Sequence, residues 1–324
     1  MFALCRNGFE QECLNELTLA IPGSVETTRG DGYVYWRLQS PNDGDILLQK
    51  VTFSRLVFTR HLLAVDAELP HLSPQDRITP LSEALEILAQ RIGAFSDLWL
   101  GWPDSDEGRV LAPLAKALRP RLAERLRTRH LLDPDQGGGR AEVIFLSSCR
   151  ALTGYSLPYN SSRFPMGIPR LRSPVAAPSR SALKLEEALD WFNFLWKDLP
   201  SAPQPGQTVV DLGAAPGGWS WVMAQRGVKV TAVDRADLAD HVRVSPLVKH
   251  VRENGFHYRP HILPDWLLCD IVDQPRQVAS LIARWGTHGW CRNAIFNLKL
   301  PMKKRSEEIK LCRQSIAGTL TQHR

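Results

Sequence analysis

The sequence predicts a two-domain α/β protein whose second half is a doubly wound domain built on a parallel sheet. Its 324 residues suit two domains of about 150 residues each. Hydrophobic residues make up 44% and charged residues 23%, which supplies enough apolar side chains for a globular core. Beyond residue 208, strand-like and helix-like runs alternate, and this predicts right-handed crossovers and a parallel sheet covered on both faces.

The first part of the chain, residues 1–70, follows the β-α-β-β-α-β order of a ferredoxin-like domain. Apolar alternation predicts its strands, apolar residues at helical spacing predict its helices, and Gly30 and Gly32 supply a turn between the middle strands. The predicted elements are strand Phe2–Cys5, helix Phe9–Ala20, strands around Val25 and over Tyr33–Trp36, helix Asp45–Val51 and strand Leu56–Leu69.

Residues 71–160 form a second mixed α+β piece. Its predicted elements are helix Ile78–Ile92, strand Asp97–Trp102, helix Val110–Leu132 and strand Ala141–Leu146. The longer helix carries a basic cluster opposed only by Glu124: Lys116, Arg119, Arg121, Arg125, Arg127 and Arg129. Such a cluster is either a solvated helix face or a surface that contacts nucleic-acid phosphates, and the sequence leaves both interpretations open.

A proline-rich segment, residues 161–178, separates this region from the predicted second domain, residues 179–324. Proline fixes φ and interrupts both helix and sheet, so we expect an extended, irregular linker. The predicted strands of the second domain are Thr208–Leu212, Val228–Asp234, Val248–Glu253, Trp266–Val272 and Asn293–Leu300, and its helices are Trp219–Arg226, Pro275–Trp285 and Glu307–Leu320.

The most informative motif is VDLGAAPGGW, residues 210–219, in which an apolar strand passes through a glycine turn into a helix. Glycines let a backbone approach a ligand closely, and doubly wound sheets bind ligands at the carboxyl ends of their strands. The spacing is not G-x-G-x-x-G, and Asp211 would repel a phosphate but suits a cationic or amine-bearing ligand. Asp234, at the end of the next strand, suits the ribose hydroxyls of an adenosyl group.

These motifs resemble the S-adenosylmethionine pocket of Rossmann-like methyltransferases. Three further strings are similar to those of the bacterial ribosomal RNA large subunit methyltransferase M family: PSRSALKLEEA at 178–188, CDIV at 269–272 and IFNLKLPMKKR at 295–305. The resemblance begins at LCRNGFEQEC near the N-terminus and covers nearly the whole chain, from Leu4 to Arg305.

The resemblance implies a Rossmann-like doubly wound methyltransferase domain preceded by an α+β RNA-binding region, ferredoxin-like over 1–70 and THUMP-like over 71–160. It implies S-adenosylmethionine-dependent 2′-O-methylation of a cytidine ribose in 23S ribosomal RNA. The implied cofactor-binding residues are Ser181, Ala215, Pro216, Gly217, Gly218, Asp234, Asn254 and Asp270, although the family pattern favours Asp where this chain has Asn254. The implied catalytic residues are Lys299, Lys184 and Asp270, which belong to a Lys-Asp-Lys-Glu tetrad.

The chemistry explains these residue types. A ribose 2′-hydroxyl is a weak acid and must lose its proton as it attacks the methyl group. A lysine can accept that proton only if its pKa is lowered, and we expect repulsion by Lys184 to lower the pKa of Lys299. Asp270 would orient Lys299 through a charge-assisted hydrogen bond. The run IFNLKL predicts that Lys299 lies in a buried strand.

The sequence departs from the family pattern at its C-terminal end. One helix follows Lys299, whereas a complete domain would continue into two further strands, where the tetrad glutamate lies. No glutamate follows Glu308, so none is assigned to that role, and we expect weakened cofactor binding and reduced or lost methyl transfer. The alternative is therefore an RNA-binding protein with a weakly active or inactive methyltransferase domain.

Other classes are excluded or disfavoured. Residues 270–273 read DIVD rather than the Asn/Asp-Pro-Pro-aromatic string of amino-group methyltransferases, and no Pro-Cys pair supplies the nucleophile of a pyrimidine carbon methyltransferase. The 6 cysteines form no C-x-x-C pair, which predicts reduced thiols and no metal site. The net charge of +6 fits a polyanion partner. Without a signal peptide or membrane span, we expect a cytoplasmic protein. No feature of the sequence demands an oligomer, so we expect a monomer.

Overall fold

The computed structural model describes residues 1–18, 26–38, 40–135, 137–195 and 202–321. The chain divides into two compact units, Met1–Pro169 and Arg170–Arg324, and the division falls inside the proline-rich segment. No helix within the described ranges is long and apolar enough to cross a lipid bilayer.

The first unit mixes strands and helices. Its strands are β1 (Phe2–Cys5), β2 (Glu26–Gly30), β3 (Tyr33–Arg37), β4 (Thr59–Leu69), β5 (Phe95–Gly101), β6 (Gly139–Ser147) and β7 (Arg150–Ser156). Its helices are α1 (Glu10–Thr18), α2 (Pro41–Lys50), α3 (Ile78–Ile92), α4 (Asp106–Arg109) and α5 (Ala112–Thr128), with 3-10 turns at Phe53–Arg55, Pro158–Asn160 and Pro165–Gly167. The strand predicted around Val25 lies outside the described residues, and β2 begins at Glu26.

Within the described residues, the strands of the first unit form one sheet in the order β2-β3-β1-β4-β7-β6-β5. Its pairs are antiparallel except β5 with β6. Strand β4 pairs with β1 on one edge, where Leu63 faces Phe2, and with β7 on the other, where Ala64 faces Tyr155. Residues 1–70 and 71–160 therefore share a continuous sheet. One apolar cluster spans both parts and includes Met166 of the proline-rich segment: Phe2, Leu4, Leu63, Ile144, Leu152 and Met166.

Two local features explain where the first unit departs from the predicted elements. Helix α2 begins at Pro41, before the predicted Asp45, because Ser40 and Asp43 form a reciprocal capping box. Strand β7 is absent from the sequence prediction because its sequence, RALTGYS, has little apolar alternation. Gly154 nevertheless fits there, since a Cβ atom at this position would collide with the Ala64 carbonyl of β4.

The second unit contains the strands β8 (Thr208–Leu212), β9 (Lys229–Val233), β10 (Val248–Val251), β11 (Trp266–Cys269) and β12 (Asn293–Phe296). Its helices are α6 (Ala182–Leu195), α7 (Gly218–Gln225), α8 (Asp240–Arg243), α9 (Pro275–Thr287) and α10 (Arg305–Thr321). Helix α6 is not among the predicted elements, although its sequence contains most of the SALKLEE string.

The described strands of this unit form a parallel sheet in the order β10-β9-β8-β11-β12, which confirms the doubly wound architecture. Alternation along β8 sends Val209 into the core beneath α6 and α7, and Val210 into the core beneath α9. The chain runs outward from β8 to β10 and then returns to β11. Strand order thus reverses between β8 and β11, and a crevice opens there at the carboxyl ends of the strands.

The predicted strands of the second unit after β8 all end earlier in the structure, and the two largest differences lie next to the site. Strand β11 ends at Cys269 rather than Val272, and β12 ends at Phe296 rather than Leu300. Proline at 301 cannot donate to a sheet ladder, and β12 lies at the edge of the described sheet. The expectation that Lys299 lies in a buried strand is therefore wrong, because this residue lies in the loop that follows β12.

Candidate active site

The glycine turn between β8 and α7 forms the floor of the candidate site. Gly213 has φ +76°, and a Cβ atom there would lie 2.7 Å from Cγ1 of Ile271. Gly217 has φ +111° and caps the start of α7, a backbone conformation that residues with a Cβ atom rarely adopt. The Gly213 amide donates to the Val233 carbonyl at 3.0 Å, which ties the turn to β9.

A cavity of about 580 Å³ lies beside this turn, a size typical of small-molecule sites. Of the eight residues predicted to bind a cofactor, these line the cavity: Ser181, Ala215, Pro216, Asp234, Asn254 and Asp270. Gly217 and Gly218 are not in the lining and instead form the start of α7. A side chain at Gly218 would collide with the hydroxyl groups of Ser179 and Ser181, so this glycine lets α6 approach α7.

Asp234 follows β9 and is fixed by backbone amides. The amide of Ala215 donates to Oδ2 at 3.0 Å, and the amide of Ala236 donates to Oδ1 at 2.9 Å. The first bond joins this carboxylate to the glycine turn. Asp234 thus presents an oriented acceptor at the cavity wall.

Asn254 lies in the segment after β10. Its Oδ1 accepts a hydrogen bond from the Phe256 amide at 2.9 Å, and its backbone carbonyl accepts from the amides of His257 and Tyr258. With Oδ1 engaged in this turn, the amide nitrogen is the group left for a ligand. An amide donor can serve an adenine ring nitrogen, which a carboxylate at this position could not do.

Asp211, at the end of β8, is fully buried and lines the cavity. Its Oδ2 accepts a hydrogen bond from the Ser220 hydroxyl at 2.7 Å, while Oδ1 has no hydrogen-bond partner among the described residues. Burial raises the pKa of Asp211 to about 7, the neighbouring charges of Asp270 and Asp234 add to this, and the Ser220 bond opposes it. An unpaired buried carboxylate oxygen suits a positively charged ligand group.

Asp270 is the centre of the predicted catalytic set. Its Oδ2 lies 3.2 Å from Nζ of Lys184 on α6, and Nζ of Lys299 donates to its Oδ1. The Asp270 side chain is 13% exposed, Lys299 is 26% exposed and Lys184 is 49% exposed, so the cluster lies at the rim of the cavity. The structure brings the three predicted catalytic residues into direct contact.

The pKa of Lys299 is lowered, chiefly because the ammonium is partly buried. Repulsion by Lys184 lowers it further, while the bond to Asp270 and its negative charge oppose the shift. Repulsion by Lys184 is the cause expected from the sequence, whereas in the structure burial is the larger cause of the lowered pKa of Lys299. The direction remains the one that a general base requires.

Asn297 belongs to the cluster but is not among the site residues predicted from the sequence. Its Nδ2 donates to Oδ1 of Asp270 at 3.1 Å, and its backbone amide donates to the Cys269 carbonyl at 2.9 Å. The available signal was its position two residues before Lys299, because alternation along extended chain places such side chains on the same side.

The acidic residues near the start of α10 do not reach this cluster. Glu307 pairs with Lys304 at 3.7 Å, and Glu308 forms hydrogen bonds to Arg276 on α9. Lys303 and Lys304 are exposed just after the Lys299 loop. Among the described residues, no group of three or more His, Cys, Asp or Glu side chains could hold a metal ion.

Known methyltransferases are similar to this chain in sequence. Residues 177–284 match the FtsJ-like methyltransferase family, and residues 1–63 match the RlmM ferredoxin-like domain. The ribosomal RNA large subunit methyltransferase M of Xanthomonas oryzae pv. oryzae is 44% identical over 320 residues, which cover 96% of this chain and 90% of the relative. The protein of that name from Stenotrophomonas maltophilia is 42% identical over 319 residues, which cover 96% of this chain and 88% of the relative. The chain belongs to the ribosomal RNA large subunit methyltransferase M family.

Proposed function

We propose that this protein uses S-adenosylmethionine to methylate the 2′-hydroxyl of a cytidine ribose in 23S ribosomal RNA. The observation that carries the proposal is the contact of Lys184, Asp270 and Lys299 at the rim of a cavity suited to the cofactor. The family relationship supports ribosomal RNA as the substrate, and the names of the relatives support the large-subunit RNA.

The cavity residues fit an adenosyl and a methionyl group. Asp234 would accept hydrogen bonds from the ribose hydroxyls, and the Asn254 amide nitrogen would meet the adenine ring. The unpaired Oδ1 of Asp211 would face the methionyl ammonium. Ser181, Ala215, Pro216 and Asp270 would complete the wall, while Gly217 and Gly218 shape the turn behind it. When bound, S-adenosylmethionine supplies an electrophilic methyl group on a sulfonium centre.

The lysine cluster would remove the proton from the substrate. Neutral Lys299 would accept the 2′-hydroxyl proton at Nζ as the ribose oxygen bonds to the methyl carbon. The bond from that carbon to the sulfonium sulfur would break at the same time, and S-adenosylhomocysteine would leave. Asp270 holds Lys299 in position and stabilises the ammonium that results. The positive charge of Lys184 favours the neutral form of Lys299 before the reaction. Much of the rate enhancement would come from holding the hydroxyl in line with the methyl group.

The first unit offers a surface for RNA phosphates on α5. Arg119 pairs with Asp97, Arg127 with Glu124 and Arg129 with Glu86. Lys116 and Arg121 are exposed, and no described carboxylate forms an ion pair with either. These two side chains favour the phosphate-contacting interpretation of the basic cluster. We also propose that the THUMP-like region comprises residues 71–160, and that residues 161–178 link it to the methyltransferase domain at 179–324.

The deciding experiment measures transfer of a labelled methyl group from S-adenosylmethionine to unmodified 23S RNA, followed by mass mapping of the modified nucleoside. Incorporation as 2′-O-methylcytidine that disappears in Lys299→Ala supports the proposal. Lys249→Ala, at an exposed lysine on β10, is the matched control and should retain activity. A label on a base atom, or incorporation unaffected by Lys299→Ala, would overturn it.

The main alternative is an RNA-binding protein without catalysis. Wild-type protein that binds the RNA but incorporates no label would establish that alternative. We further propose a monomer that acts in the cytoplasm, because the candidate site draws its residues from one chain and bacterial ribosomal RNA is made there. Light scattering of the purified protein, with and without RNA, tests the monomer.

A further inference from the structure

We propose that Asn297 is a positioning residue whose amide occupies Oδ1 of Asp270 and so limits how tightly Asp270 holds the Lys299 ammonium. The inference rests on the proposed function, in which Lys299 accepts the substrate proton. It assigns the amide a task distinct from those of Lys184, Asp270 and Lys299.

The placement of Asn297 follows from the sheet register. Strands β11 and β12 are parallel, with Cys269 opposite Phe296, so the next residues along them are Asp270 and Asn297. The hydrogen bond from the Asn297 amide to the Cys269 carbonyl fixes this backbone beside Asp270. Asn297 is half-buried. Its short side chain donates to Asp270 directly from the end of β12.

Asn297 affects the pKa of Lys299 because both side chains donate to the same oxygen of Asp270. Nδ2 of Asn297 and Nζ of Lys299 both donate to Oδ1, so each bond withdraws electron density that the other would use. The charged groups that act on Lys299 are Asp270, which favours its charged form, and Lys184, which opposes it. The neighbouring Cys269 thiol has a pKa raised by burial and stays uncharged. Nζ of Lys184 also reaches Oδ1, at 3.5 Å, but forms a longer bond. Without the amide, Oδ1 would have one donor fewer and would hold the Lys299 proton more tightly.

The first test is the pH dependence of single-turnover methyl transfer. Asn297→Leu keeps the approximate volume and removes the donor. We expect the rising limb of the rate to move about one pH unit upward, with a loss of about tenfold below the inflection and recovery at high pH. Asn293→Leu, the same change at the opposite end of β12, should leave the profile unchanged. A loss of equal size at every pH would overturn the proposal and indicate a packing role.

The second test does not depend on activity. Reductive methylation with carbon-13 labels lysine side chains for NMR titration, and Lys299→Arg identifies the Lys299 signal. The Lys299 signal should titrate at higher pH in Asn297→Leu than in wild type, with thermal melts confirming that both are folded. An unchanged titration would refute the role of Asn297 even if the enzyme is active. If wild type transfers no methyl group, the proposed function fails, but this titration still decides the role of Asn297.

Discussion

Nζ of Lys184 lies 3.2 Å from Oδ2 of Asp270, although the two residues are 86 positions apart in the chain. Helix α6 carries the lysine and the loop after β11 carries the aspartate, so the contact depends on packing of that helix against the sheet. It places a positive charge beside the Asp270–Lys299 pair and makes the protonation of Lys299 depend on α6.

Removing the Lys184 charge should shift the pH profile of methyl transfer. The positive charge of Lys184 lowers the pKa of Lys299, so Lys184→Met should raise that pKa. Because the base works in its neutral form, the rising limb of the rate should move to higher pH by about half a unit. Lys229→Met, an exposed lysine at the start of β9, serves as control. A uniform rate loss without a shift would contradict the electrostatic role.

Cofactor affinity should depend on the protonation of Asp211. With a pKa raised to about 7, this carboxyl group is neutral at lower pH and negative above it. Binding of S-adenosylhomocysteine, which retains the ammonium group, should therefore strengthen as the pH rises from about 5.5 to about 8. Asp211→Asn should weaken binding about tenfold and remove this dependence. Calorimetric titrations across the pH range measure both effects, and a pH-dependent affinity in Asp211→Asn would contradict the assignment.

Gly213→Ala should weaken cofactor binding in addition to straining the backbone. Alanine at φ +76° costs about 1–2 kcal/mol, and its Cβ would also press on Ile271. Gly206→Ala provides the matched control, because its φ is +86° and no atom lies within 4 Å of the position that a Cβ would take. Both variants should lose stability from backbone strain in urea unfolding of the full chain, and Gly213→Ala should lose more because of its contact with Ile271. Only Gly213→Ala should lose S-adenosylhomocysteine binding, and equal binding in the two variants would contradict the close approach.

Reversing charge on α5 should weaken RNA binding in a salt-dependent way. The double variant Lys116→Glu with Arg121→Glu removes two exposed cations. If both contact phosphates, the slope of log affinity against log salt should become shallower by about 1.5. Lys50→Glu with Arg55→Glu changes the net charge equally elsewhere on the same unit. Filter binding over a salt series compares them, and equal losses in the two double variants would indicate general attraction rather than a docking surface.

Local sequence patterns predict the methyltransferase sheet and much of its site. The strand that contains Asp211, the turn at Gly213 and the acceptor Asp234 can be predicted from short motifs, because their geometry depends on neighbours in the chain. The end of β12 cannot be read in this way, since it depends on where strand pairing stops. The role of Asn297 cannot be predicted from local sequence either, because its partner Asp270 follows the adjacent strand and is brought close only by strand pairing.

The first unit shows the same limit at a larger scale. The order of elements over residues 1–70 predicts a ferredoxin-like domain, but the pairing of β4 with β7 joins it to the following residues. That pairing needs Gly154 at a close approach between strands, and a single glycine in a polar run gives no local signal. Long-range pairing of this kind is fixed by tertiary packing rather than by local preference.

Strand β4 has a consequence for protein engineering. Because β7 pairs with the second half of this strand, a cut after residue 70 would expose the edge from Ala64 to Leu69. Raw edges of this length invite pairing with other chains. The amino-terminal 70 residues are therefore a poor cassette for transplantation between relatives, and a chimaera should exchange residues 1–169 as a block.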